Sequence, residues 1–265
     1  MAELVFTILG CGSSGGVPRI GGLWGACDPK NPKNVRRRCS LLVERITETG
    51  KTQVLIDTSP DMRQQLLDAG VTNLDAVLMT HGHADHVHGI DDLRPLVFAR
   101  RKRMPVWADA PTQHRLLEGF QYAFKQPEGS LYPPILDLHM INGDVVIEGT
   151  GGPITFKPFL VGHGSIDALG FRIGGLAYLP DVAEIYDDAW PVLQGLDVWI
   201  VDALRREPHH THAHLDQTLD WITRAAPKHA VLTDMHIDLD YETVRAETPD
   251  HIEPAFDGMQ LRLAD

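Results

Sequence analysis

The chain has 265 residues, 43% of them hydrophobic, enough to build and bury a substantial core. Lys and Arg number 24 against 36 Asp and Glu, a net charge of −12 that argues against broad, non-specific binding to phosphate backbones as the main activity. No apolar window approaches the roughly 18 residues of a membrane span, and Cys11, Cys27 and Cys39 are an odd count ill suited to a disulfide framework.

The opening "MAELVFTILG" has no basic leader and only a short apolar run, so it reads as a first strand and predicts a soluble protein of the reducing cytoplasm. It runs into the Gly/Ser-rich turn "GCGSSGG", where Gly12 to Gly16 offer backbone N–H groups; no Gly-Lys-Ser/Thr follows, so this is not a P-loop. A basic group, Arg36 to Arg38, precedes the strands "SLLVERI" and "QVLIDT", the latter ending on Asp57. "SPDMRQQLLDAG" carries a cap signal and stops at Gly70, which predicts a helix. The strand "AVLMTH" follows and runs into a cluster of histidines. Beyond a second basic run, "ARRKR", come the strand "MPVWAD" and the helix "DAPTQHRLLEGFQYAF". The later strands are "PITFKPFLVG", "GFRIGG", "LAYLPD", "VWIVDAL" and "HAVLTDM", with helices at "LDQTLDWITRAAPK" and "DYETVRAETP". Strands mixed with amphipathic helices, and no linker rich in Ser, Gly or Pro, predict one layered α/β domain over residues 1–265.

Asp57, His81, His163, Asp181, Asp202 and the Asp234/His236 pair all stand at or just past the C-terminal end of an apolar run. Loops converge on sites at that end of layered α/β folds. Any one aspartate there is explained by turn chemistry, but the whole set is not. In "HGHADH", His81, His83, Asp85 and His86 fall on a tight turn leading into a helix. Histidines at i and i+2 can aim at one metal, and Asp85 with His86 can reach a second beside it. Imidazole with carboxylate suits zinc, manganese or iron, whereas a structural zinc site would use thiolates.

This HxHxDH turn resembles the signature of the metallo-β-lactamase superfamily. Asp57 of "LIDTS", His163 of "VGHG" and Asp181 of "YLPD" match its other motifs in order. The resemblance implies a four-layer αβ/βα sandwich with a dinuclear site on one edge. By carry-over, His81, His83 and His163 hold one ion, Asp85 and His86 hold the second, and Asp181 bridges both; the cofactors are two divalent ions, zinc or manganese. The last ligand departs from the pattern. Many relatives place a histidine directly after the Thr of this strand, where the present chain has Asp234, with His236 two residues on. Either His236 reaches in or Asp234 substitutes as an oxygen ligand, and His236 is preferred because a nitrogen keeps the second site balanced.

Two ions about 3.5–4 Å apart can share a hydroxide that attacks the substrate, and Asp85 is assigned to that catalytic centre. "TILGCGSSGGVPRIGG", "RRRCSLLV" and "VDALRREPHHTHAHLDQTLDWI" resemble the PhnP-like phosphodiesterase branch and, more distantly, tRNase Z. The branch implies a histidine facing the scissile phosphate. His214 matches it, as acid for the leaving alkoxide or as a phosphoryl contact, with His212 and Arg38 as further substrate contacts. Relatives also carry a cysteine-built structural zinc site, of which only Cys27 is retained, so that extra zinc is expected to be absent.

The expected function is therefore metal-dependent cleavage of a small sugar or nucleotide phosphodiester, cyclic esters included, by attack of a bridging hydroxide on phosphorus. The expected partner is that small phosphate ester, with no membrane and no broad nucleic-acid partner, and a homodimer is left open. The alternatives are tRNA 3′-end processing, thioester or lactam hydrolysis, and a non-catalytic PqqB-like carrier.

Overall fold

The computed structural model describes residues 2–126 and 128–265. Residue contacts divide the chain into two compact units, each assembled from separate stretches of sequence. The first holds the chain up to Thr7, Ser40–Thr155 and Gln260–Asp265; the second holds Ile8–Cys39 and Phe156–Met259.

In the first unit the strands are the start of β1 (Glu3–Gly10), β2 (Ser40–Thr47), β3 (Gly50–Ile56), β4 (Ala76–Leu78), β5 (Met104–Ala108), β6 (Leu136–Met140), β7 (Val145–Ile147) and β14 (Gln260–Ala264). The sheet runs β14-β1-β2-β3-β4-β5-β6. β2 and β3 form an antiparallel hairpin in register from Leu41↔Ile56 to Thr47↔Gly50. From β3 to β6 every neighbour is parallel. Parallel neighbours cannot be joined by a tight turn. The connections accordingly carry α1 (Met62–Asp68), α2 (Ala84–Val87) with α3 (Arg94–Arg100), and α4 (Ala110–Phe124). β4 is buried along its whole length, as a strand inside a parallel sheet must be. The start of α4 follows its sequence signal, since the Asp109 side chain accepts from Thr112 N at 3.0 Å and Pro111 occupies the first turn.

In the second unit β8 (Ile154–His163), β9 (Ile166–Ile173), β10 (Leu176–Leu179), β11 (Val198–Asp202), β12 (His229–Thr233) and β13 (Ile252–Pro254) lie in the order β13-β12-β11-β10-β9-β8. β8, β9 and β10 are antiparallel in succession, and β10 to β13 are parallel. β8 therefore runs the same way as β10, β11 and β12. Those four strands end at one edge, and their last residues lead straight to His163, Asp181, Asp202 and Asp234. β11 is buried from Val198 to Asp202, with Trp199, Ile200 and Val201 fully enclosed. α5 (Leu215–Ala225) buries Leu215, Thr218, Ile222 and Ala225, the stripe its spacing predicts. α6 (Tyr241–Glu247) is capped by Asp240, which accepts from Thr243 N at 3.0 Å.

The α/β class read from the sequence is what both units show, each a mixed sheet with helices. β6, β7, β13, β14 and α3 had no clear sequence signal. They are short, and the β14 sequence QLRLA puts charged and polar residues on its exposed positions. Among the described residues no helix is long and apolar enough to cross a membrane.

Candidate metal centre

In the first unit the HxHxDH turn is braced from below by one carboxylate. Asp57 lies just past β3 with its backbone at a positive φ of 65°, held by its own N–H to Leu78 O at 2.9 Å. Its side chain accepts from Thr80 N, Thr80 Oγ1 and His86 Nδ1, each at 2.8 Å. These contacts fix tautomers. The Thr80 hydroxyl gives its only proton to Asp57, so it accepts from His81 Nδ1 at 3.0 Å. His81 and His86 thus both carry their proton on Nδ1 and present Nε2 as a ligating atom. The His81 ring lies 4.6 Å from that of His83 and 4.3 Å from that of His86. Asp85 Oδ2 is 3.6 Å from His86 Nε2. Burial raises the Asp57 pKa, and the neighbouring His86 and Thr80 oppose that shift. A glycine closes the turn: a Cβ on Gly89 would come 2.1 Å from Ser59 O.

In the second unit a different arrangement gathers around one imidazole. His212 Nδ1 lies 2.9 Å from Asp202 Oδ2, 3.2 Å from Asp234 Oδ2 and 3.9 Å from Asp181 Oδ1. All three carboxylates are buried, at 0%, 2% and 2% exposure respectively. The loop that carries His212 is fixed on both sides, Leu204 N donating to Ala213 O at 3.0 Å and Ala213 N to Val182 O at 2.6 Å. His163, the last residue of β8, gives its Nδ1 proton to Thr211 O at 2.6 Å, which presents Nε2 toward Asp181 Oδ1 at 3.8 Å. Thr211 approaches that closely because residue 164 is glycine: a Cβ there would meet the Thr211 methyl at 2.4 Å. Asp234 sits just past β12 at a positive φ of 56°. Its Oδ1 accepts from the Cys39 thiol at 3.6 Å.

Electrostatics follow from that crowding. Burial alone would lower the His212 pKa, but the charge and hydrogen bond of Asp202, with Asp234 and Asp181 behind it, push it well up. Burial raises Asp202 in spite of the imidazole. His212 is therefore held toward its imidazolium form near neutral pH, among three buried carboxylates. The Cys39 thiol, raised first by burial and then by Asp234 and Asp181, stays protonated and acts as a donor to Asp234.

Within the first unit the structure gathers His81, His83, Asp85 and His86 as the spacing requires. Within the second it gathers His163, Asp181 and His212 into one group of potential ligands, and Asp202, His212 and Asp234 into another. His236 does not join them. Its Nδ1 faces Asp238 Oδ1 at 2.5 Å and its Nε2 faces Arg19. Its backbone N–H bonds Leu204 O at 2.8 Å, so the turn after β12 carries the ring away from the carboxylates. His214 does not join them either. It is the N-cap residue of α5, half-buried, with Nδ1 3.2 Å from Gln217 Oε1. His212, two residues earlier, is the histidine of this loop that lies among the carboxylates of the second unit.

Arg38 is half-buried and pairs with Gly12 in an isolated bridge. Its neighbour Arg36 is buried and structural, reaching His236 O and Asn34 Oδ1, each at 3.3 Å. The Gly/Ser turn uses several of its own donors internally, Gly12 N to Arg37 O at 2.8 Å and Gly16 N to Ser13 O at 2.7 Å. Thr80, Thr211 and Cys39 gave no sequence signal, because their roles depend on partners from distant segments.

The donor chemistry fits divalent ions. Imidazoles presenting Nε2 and buried carboxylates suit zinc, manganese or iron, and a cation bound among buried carboxylates offsets the cost of burying them ionised.

A family model described as beta-lactamase superfamily domain matches residues 52–237. A solved structure described as a new diphosphatase from the PhnP family is 36% identical to this chain, with a TM-score of 0.86, covering 99% of this chain and 98% of that one. The octanoyltransferase of Porphyromonas gingivalis (strain ATCC BAA-308 / W83) is 34% identical over 258 residues, which cover 96% of this chain and 50% of that protein. The ribonuclease Z of Bradyrhizobium sp. (strain ORS 278) is 30% identical over 147 residues, 53% of this chain and 45% of that protein. The chain spans about half the length of the curated relatives it matches.

Proposed function

Because the chain belongs to the beta-lactamase superfamily, and within it to the PhnP family, we propose that it is a dinuclear metal-dependent phosphodiesterase. Its substrate is a small sugar or nucleotide phosphodiester, cyclic esters included. In the first unit His81, His83, Asp85 and His86 would serve as ligands to these ions, and in the second His163 and Asp181. Bound there, the ions would supply an activated water and charge neutralisation at phosphorus.

The residues of the chain do the rest. Asp57 fixes His81 and His86 through Thr80 and directly, and Thr211 O fixes His163, so three imidazoles enter the site with the ligating nitrogen already chosen. His212, held by Asp202 and protonated at neutral pH, donates the proton that the leaving alkoxide requires. Arg38 supplies positive charge for an anionic substrate.

The observation that carries this reading is the His212–Asp202 pair. An oriented, protonated imidazole belongs with a reaction whose leaving group departs as an alkoxide. The diphosphatase description of the 36%-identical structure supports phosphorus as the centre attacked. Ribonuclease Z-type processing is the weaker reading. The net charge of −12 does not suit a long RNA, and two arginines of the ARRKR run face acidic partners, Arg100 on Asp75 and Arg103 on Asp137. The free, buried cysteines suit a reducing compartment such as the cytoplasm.

The test is hydrolysis of bis(p-nitrophenyl) phosphate and of a panel of cyclic and linear phosphodiesters by protein reconstituted with zinc or manganese. Turnover of diesters with no turnover of a thioester or lactam is the expected outcome. Metal-loaded protein that cleaves only thioesters would overturn it.

A further inference from the structure

The structure leaves one ligand position to settle, and the geometry of the second unit answers it. His212 Nδ1 stands between Asp202, Asp234 and Asp181, so that three buried carboxylates converge on one imidazole. Asp202 Oδ1 is buried and makes no hydrogen bond among the described residues, although the other oxygen of the same carboxylate holds His212 and Val182 N. That leaves an unsatisfied, buried carboxylate oxygen in a cluster that is not merely acidic but contains an imidazole and adjoins the His163–Asp181 pair.

We propose that Asp234, and not His236, is the protein ligand that completes the second cation subsite, and that its carboxylate biases that subsite toward manganese or iron over zinc. The assignment rests on the metal-dependent reading above. Backbone constraints exclude the alternative. Met235 N bonds Cys11 O at 2.9 Å and His236 N bonds Leu204 O at 2.8 Å, which pins the backbone at the histidine and at the residue before it. The His236 ring then has both nitrogens engaged, on Asp238 and Arg19. Asp234 is oriented for the task. Cys39 donates to Oδ1 at 3.6 Å, orienting the carboxylate as an outer partner of a metal ligand does, while Oδ2 lies 3.2 Å from the His212 ring nitrogen, whose proton goes to Asp202. An oxygen in place of an imidazole nitrogen lowers the preference for zinc and raises that for harder cations.

The experiment measures metal content and preference, not turnover. Wild-type protein, Asp234→Ala, Asp234→His and His236→Ala are stripped, dialysed against equimolar zinc and manganese, and counted by elemental analysis and native mass spectrometry. Wild type and His236→Ala should hold two ions per chain and Asp234→Ala about one. Asp234→His, which restores a donor where Ala leaves none, should hold two and shift the zinc-to-manganese ratio upward by roughly tenfold or more. Two ions in Asp234→Ala with one in His236→Ala would overturn the assignment and leave the proposed reaction standing. Two ions in wild type and one in Asp234→Ala, with no phosphodiester cleaved by either, would sustain the assignment and overturn the reaction. An unchanged metal ratio in Asp234→His would overturn the bias toward harder cations.

Discussion

In the first unit the candidate ligands His81, His83, Asp85 and His86 lie on one turn and one short helix, braced by the single carboxylate Asp57. In the second, Asp181, Asp202, His212 and Asp234 arrive from separate strand ends and a loop, and three carboxylates meet around one imidazole. The first arrangement is hydrogen-bonded into fixed tautomers before any ion arrives. The second crowds three buried carboxylates around one imidazole, an arrangement that a bound cation would favour. One region is organised by hydrogen bonding and the other by electrostatic demand, and the two should respond differently to substitution.

The largest effect is expected at the turn itself. Asp85→Ala should lower kcat/KM for a phosphodiester by on the order of 10³-fold or more, read in a steady-state assay with metal in excess. Next comes the imidazole of the second unit. His212→Ala should lower kcat by about 10²–10³-fold with little change in metal content, whereas His214→Ala should stay within about threefold of wild type. Equal losses in both variants would return the acid to His214. Asp57→Asn tests the brace. An amide cannot accept from Thr80 N, the Thr80 hydroxyl and His86 Nδ1 at once, so metal affinity should weaken by about 10–100-fold, measured by competition with a chelating dye.

Asp257 sharpens the contrast because it is a half-buried carboxylate outside the ligand clusters. It accepts from Arg37 N at 2.9 Å and Cys11 N at 3.2 Å, and burial pushes its pKa up to about 7 in spite of those bonds. A pKa raised in the folded state means that the folded protein binds the proton more tightly. Its stabilising contribution is complete below the ordinary value of 3.8 and is lost as pH rises through about 7. Asp257→Asn should flatten the fall in urea midpoint between about pH 4 and about pH 7, a change of at most a few kcal/mol, while metal content stays unchanged. A steeper fall in the variant would show that another group controls that range.

The legibility of the sequence follows the same division. The HxHxDH turn was readable because its ligands are neighbours in the chain, and the strands that precede Asp57, His163 and Asp181 were readable because each finishes in a short apolar run buried in its sheet. The partners that tune those ligands were not. Thr80 is one threonine among many until Asp57 is brought beneath it, and Thr211 O becomes a partner for His163 only when Gly164 lets the two segments touch. The choice among His212, His214 and His236 depended on loop paths that no periodicity encodes. The pinning of Ala213 to Val182 brings His212 to the carboxylates, and that of His236 N to Leu204 turns His236 away.

The left-handed backbone at residue 234, φ 56°, sets limits on how this protein can change. Apart from glycine, that conformation is adopted with any ease by asparagine, aspartate and histidine, and is refused by β-branched side chains. The residues that the main chain tolerates there are thus nearly the same as those that could bind an ion or hydrogen-bond beside one. A lineage could exchange one metal preference for another at this corner in a single substitution, without first remodelling the strand that leads to it.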